Sequence, residues 1–216
     1  MAFDLSPAIE ANIPELAQIW QFSFRSYDIW AASMRNVSSE DELAFYTKAL
    51  TARMKLPNTV VTKITERETK KIVAWSMMSK PYTKTPEEEN APKPPPMRPD
   101  TTDLRIWATH ERSAEIMKAH GYDPTTDFSR SGLLVDPSYQ KLGLGTRLAV
   151  FDNEIADEAG ARIWVIASSN SKKLFLSLGF VVLETESVVL EESEDGGKKV
   201  GTLSITMREP KGREAE

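Results

Sequence analysis

The run Gly132-Leu-Leu-Val-Asp-Pro-Ser-Tyr-Gln-Lys-Leu-Gly-Leu-Gly-Thr-Arg-Leu148 holds the residues with the clearest chemical use. It reads as a buried strand, a Pro-containing turn, a Gly-rich bend and the start of an amphipathic helix. A helix that begins at such a bend points unpaired backbone N–H groups outward from the positive end of its dipole. Phosphate oxygens bind well there. Gly143 and Gly145 lack Cβ, so a ligand can approach the backbone closely and the chain can take positive φ. The segment is a candidate pyrophosphate cradle. A nucleoside-triphosphate loop would place Lys and then Ser or Thr after the last glycine, where this chain has Thr146-Arg147. A dinucleotide fingerprint would need a small residue at Leu148. Neither fits, which leaves another pyrophosphate ligand or a plain strand–helix turn.

The elements that would carry this loop are legible on both sides. Phe128 to Val135 predicts a strand, and Leu144 to Ala159 a helix with Leu148, Phe151 and Ile155 on one face and Gly160 as its stop. Arg162 to Ala167 predicts an apolar strand and Ser171 to Leu178 a short helix ended by Gly179. Phe180 to Leu190 and Val200 to Arg208 predict two long strands joined by a hairpin turn with Gly196-Gly197 at its tip. Upstream, Asn12 with Glu15 and Ser39 with Glu42 read as capping boxes opening two helices. Thr59 to Ile64 and Lys71 to Met78 predict a hairpin of strands. Pro81 to Pro99 reads as an exposed, polyproline-II-biased loop, because its prolines fix φ and remove donors. Leu104 to His120 predicts a helix stopped by Gly121. The order α-α-β-β-α-β-α-β-α-β-β describes a mixed α/β sheet flanked by helices.

At 216 residues the chain suits one domain, expected over 1–210 with the Pro-rich insertion at 81–102 and a tail at 211–216. Its net charge of −5 argues against nucleic acid or an anionic membrane as the main partner. No apolar run reaches the length of a membrane span and no basic, apolar leader opens the chain, so a soluble cytoplasmic protein is expected. The absence of cysteine excludes a disulfide framework and a Cys nucleophile. His110 and His120 lie too far apart on one helix to share a metal, and no metal is expected.

The pattern Gln140-x-x-Gly143-x-Gly145, after a strand ending at Val135-Asp136-Pro137, resembles the coenzyme A loop of the GCN5-related N-acetyltransferases (GNAT). A second segment, Ile163 to Phe180, is similar to that family's strand–loop–helix ending in Gly-Phe. Ser168, Ser171 and Phe175 fall on its small or amide, small and aromatic positions, and Gly179-Phe180 closes it. Ile9 to Leu16 resembles the family's opening, where a strand leads into a capped helix. The resemblance covers essentially the whole chain and is tightest from Leu133 to Phe180. It implies a mostly antiparallel sheet with a splay between the strands ending near Val135 and Ala167.

The same resemblance implies acetyl-CoA as acyl donor. Pantetheine would lie along Leu133, Leu134 and Val135, and the pyrophosphate on the N–H groups of Leu142, Gly143, Leu144, Gly145 and Thr146, with Gln140, Ser168, Ser171 and Phe175 beside them. Lys141, Arg147, Lys172 and Lys173 would meet the remaining phosphates. The implied reaction is acetyl transfer to a primary amine of a small molecule or peptide, with the backbone N–H near Val135 facing the developing oxyanion. Phe175 departs from the family's frequent tyrosine and cannot donate a proton to the leaving thiolate. Ser129 stands where a carboxylate base is frequent, and Asp127, on the same strand face, is the candidate base. Tyr27, Trp30, Tyr46 and Trp107 are candidates for an acceptor slot or for core. A catalytically impaired acyl-CoA-binding domain is the alternative, and an interaction module acting through the Pro-rich loop is a third reading. A monomer or a homodimer is expected.

Overall fold

The computed structural model describes residues 2–92, 97–192 and 196–212. Its elements are β1 (Phe3–Pro7), α1 (Ile13–Phe24), α2 (Asp28–Ser33), α3 (Ser39–Met54), β2 (Thr59–Glu66), β3 (Ile72–Ser79), α4 (Pro86–Asn90), α5 (Leu104–Ala119), β4 (Phe128–Val135), α6 (Leu144–Glu158), β5 (Ile163–Ser168), α7 (Ser169–Ser177), β6 (Val181–Glu192) and β7 (Lys198–Arg208). The strands form one seven-stranded sheet in the order β1-β2-β3-β4-β5-β7-β6. Every pairing is antiparallel except β4 with β5. The mixed α/β class expected from the sequence is the observed one.

Each face of the sheet is covered because strand side chains alternate between faces. One face receives α1 and α3, where Leu16, Trp20, Tyr46, Trp75 and Leu134 form the largest apolar cluster. The buried Trp75 Nε1–H donates to the Leu16 carbonyl at 3.0 Å, which fixes α1 on β3. On that face, farther along, Met117 of α5 packs with Trp164 and Ile205. The opposite face receives α6 and α7. The α6 stripe Leu144, Leu148, Ala149, Asp152, Asn153 and Ala156 is buried at helical spacing. Leu144 and Leu148 pack on Ile64, Val73 and Ala74 of β2 and β3.

Several local readings are corrected. Asn12 does not cap α1: its Oδ1 accepts the Ile9 N–H at 3.0 Å, and Glu15 Oε2 instead accepts the Ile72 N–H at 3.2 Å. The second cap lies one residue earlier than expected. Ser38 accepts the Asp41 N–H at 3.0 Å and donates its hydroxyl to Asp41 Oδ2 at 2.7 Å. The Pro-rich stretch contains one short helix, α4, because Thr85 caps it and Glu88 returns a bond to the Thr85 N–H at 2.9 Å. Its Pro86 is tolerated at the first helical position. Residues 93–96 and 193–195 lie outside the described residues, so the polyproline run and part of the expected hairpin turn are not characterised.

Candidate functional site

The two strands read as the site's walls do splay. β4 and β5 pair only over Phe128↔Ile163, Ser129↔Trp164 and Arg130↔Val165. Beyond that point Ser131 to Val135 and Ile166 to Ser168 run on without each other, leaving a wedge at their C-terminal ends. The cause is local. Met77 pairs with Gly132 and Met78 with Arg130, so Ser131 is an extra residue in β4. Such a bulge bends its strand and breaks the ladder where it sits. Ser131 is exposed in mid-sheet, with its hydroxyl on the Met77 carbonyl at 3.4 Å.

Backbone direction along β4 follows from one bond. The Asp136 N–H donates to Val73 O at 2.8 Å. In an alternating antiparallel ladder, Leu134 also bonds toward β3, and the amides of Leu133 and Val135 turn to the wedge. Leu134 itself is core, 2 % exposed, while Leu133 and Val135 are half-buried against the α6 side. The Val135 carbonyl accepts the Ser23 hydroxyl at 2.9 Å and Gln140 Nε2–H at 3.3 Å. Asn170 Nδ2–H donates to the Ser26 carbonyl at 2.8 Å. The last turn of α1 and the residues after it therefore link the end of β4 to the start of α7. Ser23 and Asn170 were not found in the sequence. Their partners lie 112 and 144 residues away, beyond any local pattern.

The phosphate loop is built from its anchors outward. Asp136 Oδ1 accepts the Ser138 N–H at 2.9 Å and Oδ2 takes Lys71 Nζ at 2.8 Å. Burial pushes the Asp136 carboxyl up, but the Lys71 ammonium and the Ser138 N–H outweigh it and hold the group below the usual carboxylate range. Tyr139 donates its hydroxyl to Glu66 at 3.0 Å. Lys141 and Gly143 then take positive φ, 62° and 78°, the region open to glycine. The first backbone bond of α6 runs from Arg147 N–H to Gly143 O at 2.9 Å. The N–H groups of Leu144, Gly145 and Thr146 precede it and stand at the positive end of the helix. A Cβ on Gly145 would stand 3.6 Å from Val135 Cγ2 and 4.0 Å from Leu174 Cδ2, so Gly145 keeps clear the space between β4 and α7. Lys141 and Leu142 are exposed beside this space, and Lys172 lies on α7. Arg147 is turned elsewhere, its Nη1–H on the Phe3 carbonyl at 3.0 Å.

The other candidates fall apart. Ser168 and Ser171 form a capping box on α7, Ser168 Oγ accepting the Ser171 N–H at 3.3 Å and Ser171 Oγ the Ser168 N–H at 3.0 Å. Their hydroxyls are engaged in that cap and with each other, at 3.0 Å. Phe175 is core, 2 % exposed, with its ring 5.3 Å from Phe180 and under the Arg130 guanidinium. It lines no open space. Asp127 is also displaced from the role expected of it. Its carboxylate accepts Arg162 Nε–H at 2.9 Å and Nη2–H at 2.8 Å, Trp164 Nε1–H at 3.0 Å and the Asp123 N–H at 3.0 Å. It stands at the N-terminal end of β4, opposite the wedge, and acts as a clamp between β4 and β5. Of the four aromatic candidates, Tyr46 and Trp30 are core and bonded to each other, Trp30 Nε1–H to Tyr46 Oη at 2.6 Å. Tyr27 and Trp107 stay half-buried near His110.

No protein-family model matches the chain, and no curated protein matches it in sequence. Solved structures match it closely in shape. Arylalkylamine N-acetyltransferase 2 from Aedes aegypti superposes with a TM-score of 0.70 at 14% identity, over 97% of this chain and 99% of that one. The mosquito arylalkylamine N-acetyltransferase like 5b does so at 0.60 and 18%, over 96% and 100%. The fold is that of the GCN5-related N-acetyltransferases. A third GNAT-fold structure, Salmonella typhimurium yncA with its cofactor acetyl-CoA, superposes at 0.56 and 16%, over 100% and 98%. The bulge, the splayed strands and the Gly-rich helix start are thus features of a chain with this fold. Among the described residues no helix is long and apolar enough to cross a membrane.

Proposed function

We propose that the protein is an N-acetyltransferase that binds acetyl-CoA in the wedge and acetylates a primary amine. The observation that carries this is the junction of three features: the open β4 edge, the free N–H groups at the start of α6 and the side-chain-free Gly145 between them. The residues present fit the ligand. The amides of Leu133 and Val135 would hold pantetheine, the N–H groups of Leu142 to Thr146 the pyrophosphate, and Lys141 and Lys172 the outer phosphate. Two of the similar structures carry the name arylalkylamine N-acetyltransferase, which supports an amine acceptor here.

Acetyl-CoA, when bound, supplies an acetyl group activated as a thioester. The chain's part is positioning and electrostatics. The Val135 N–H, turned into the wedge, is the donor for a carbonyl oxygen that gains charge there, and it requires no reorganisation. The acceptor must present a lone pair. At pH 7 only ~0.1% of an alkyl amine with a pKa of ~10 is neutral, so a site that desolvates the ammonium favours the reactive form. Asp127, the candidate base, is clamped at the far end of β4, and Phe175 stands where the family's frequent tyrosine would donate.

That last observation also favours a competing reading, a coenzyme A-binding domain without transfer. Thiol release from acetyl-CoA across a panel of primary amines separates the two. Release well above hydrolysis supports the transferase, and binding of acetyl-CoA without release for any amine supports its competitor.

A further inference from the structure

The loop after β4 is gripped from outside by the turn of the β2–β3 hairpin. Glu66 ends β2 and Lys71 precedes β3, and the Glu66 N–H donates to the Lys71 carbonyl across the turn at 2.9 Å. Lys71 Nζ donates to Asp136 Oδ2 at 2.8 Å, and the same ammonium stands 5.5 Å from the centre of the Tyr139 ring. Tyr139 donates its hydroxyl to Glu66 Oε2 at 3.0 Å, where the Thr69 hydroxyl also donates at 2.6 Å. Two side chains of the hairpin thus hold two of the loop, from 65 and 73 residues away.

These contacts fix a shape. Glu66 and Asp136 are each 6% exposed, and buried carboxylates persist only when their oxygens are bonded. Asp136 Oδ1 takes the Ser138 N–H of the loop's first turn while Oδ2 takes Lys71, so one side chain ties the turn to the hairpin. The Tyr139 ring packs edge-on against Phe3, 6.3 Å between centroids. The bond to Asp136 raises the Lys71 ammonium above its usual range, and the bond to Glu66 raises the Tyr139 hydroxyl likewise. Both therefore stay protonated donors at neutral pH. Just beyond Tyr139 the chain passes through Lys141 at a φ of 62°, a conformation that a residue with a Cβ resists. A loop ordered only when its ligand arrives would lose affinity to that ordering.

Resting on the acetyl-CoA reading above, we propose that Lys71 and Glu66 are positioning residues for the pyrophosphate. They hold Asp136 and Tyr139, and through them the loop, in the shape that receives it. The Lys71 ammonium is committed to Asp136, so its effect runs through that carboxylate and not through direct attraction to a phosphate.

Calorimetric titration of coenzyme A and of dephospho-CoA into wild type, Lys71→Met, Asp136→Asn and the double variant separates those two routes. Each single variant should weaken both ligands by about 10-fold, the worth of one hydrogen bond to a charged group. The double variant should bind no more weakly than either single one, because both remove the same contact. Tyr139→Phe keeps the ring and should weaken both ligands by about 5-fold. Arg67→Met is the control: it breaks the pair with Asp4, 2.7 Å, at the same hairpin turn, and should leave both affinities unchanged. Melting temperatures show which variants are folded during titration, and Tyr139→Phe carries the test if a charge variant is not. Wild-type affinity in the folded variants would overturn the proposal. Tighter binding by Asp136→Asn, or a double variant weakened by about 100-fold as independent sites would give, would overturn the route through Asp136. An equal loss in Arg67→Met would reduce the effect to hairpin stability and overturn it too. Failure of wild type to bind coenzyme A at all would instead overturn the acetyl-CoA reading.

Discussion

Removing the Asp152 carboxylate should cost more than any single surface change, and the structure sets the size. Arg130 and Asp152 are each 1% exposed and meet at 3.0 Å between β4 and α6. Arg130 also donates to Ala149 O and Asn153 Oδ1, both at 3.1 Å, and Asp152 accepts the Ser76 hydroxyl at 3.1 Å. The Arg130 Nη1 already lacks a partner. Asp152→Ala would strand a buried guanidinium, which costs about 3–5 kcal/mol. At roughly 2–4 °C per kcal/mol for a chain of this length, the melting temperature should fall by about 6–20 °C. Arg130 stands at the last paired residue of β4 and β5, so the wedge apex loosens with it and coenzyme A affinity should fall as well. The double variant Arg130→Met/Asp152→Leu removes both charges and should recover most of the loss, since apolar replacement of a buried pair is often neutral or better. Thermal unfolding followed by circular dichroism reads both. A loss below ~1 kcal/mol for Asp152→Ala, or a double variant as unstable as the single, would refute this account of what joins α6 to the sheet.

Other outcomes follow from the same geometry. Gly143→Val should destabilise by about 1–2 kcal/mol through its positive φ alone, since a Cβ there meets nothing within 4 Å. Gly143→Asn should cost less, and equal melting temperatures for the two would contradict that cause. Asp127→Asn should lower stability by ~2 kcal/mol or more, through weakened charged hydrogen bonds, while kcat stays near wild type; a collapse of kcat in folded protein would restore it as a base. The pH dependence has two parts. His110 binds its proton below the ordinary imidazole range, at about pH 4, so the unfolded chain protonates first and stability is lost as pH falls from ~6.5 toward 4. Arg208 and the Lys211 N–H overcome burial to hold Asp157 below the carboxylate range, as Lys71 does for Asp136. Their contribution is whole above pH ~4 and is lost below it. Calorimetric melts at pH 7, 5 and 3 should fall progressively, and His110→Phe should flatten the first step; equal melting temperatures across the series would contradict both parts.

What the sequence disclosed was mainly what local pattern controls. The strand Phe128–Val135 and the left-handed Gly143 are set by neighbours within a few residues and appear as read, whereas the buried stripe of α6 runs through Leu144, Leu148, Asp152 and Asn153, with Phe151 and Ile155 only half-buried. Caps were placed to within a residue but not assigned correctly, because Ser38 and Ser39 are chemically alike and only the backbone at Ser38 is extended. β1 and α2 were missed. The first is a five-residue edge strand with a proline and pairs β2 alone, and the second is six residues long with no capping side-chain bond. The site's polar partners were hidden for another reason. Asp127 looks like a free carboxylate until Arg162 and Trp164 arrive from the next strand, and His110 looks like a surface helix residue until α2 brings Tyr27 and Trp30 against it. Those contacts are tertiary, and no local period encodes them.

The central claim is that the wedge between β4 and β5, closed at one end by the α6 N-terminus, binds acetyl-CoA. Calorimetric titration of acetyl-CoA and of dephospho-CoA into wild type and Gly145→Leu tests it most directly. A leucine there would start with its Cβ in ordinary contact with Val135 and Leu174 and occupy the space that Gly145 leaves open. The account predicts binding on the order of micromolar for wild type, weakened without the 3′-phosphate, and lost in Gly145→Leu at an unchanged melting temperature. Absence of binding to wild type, or equal binding to a folded Gly145→Leu, would contradict it.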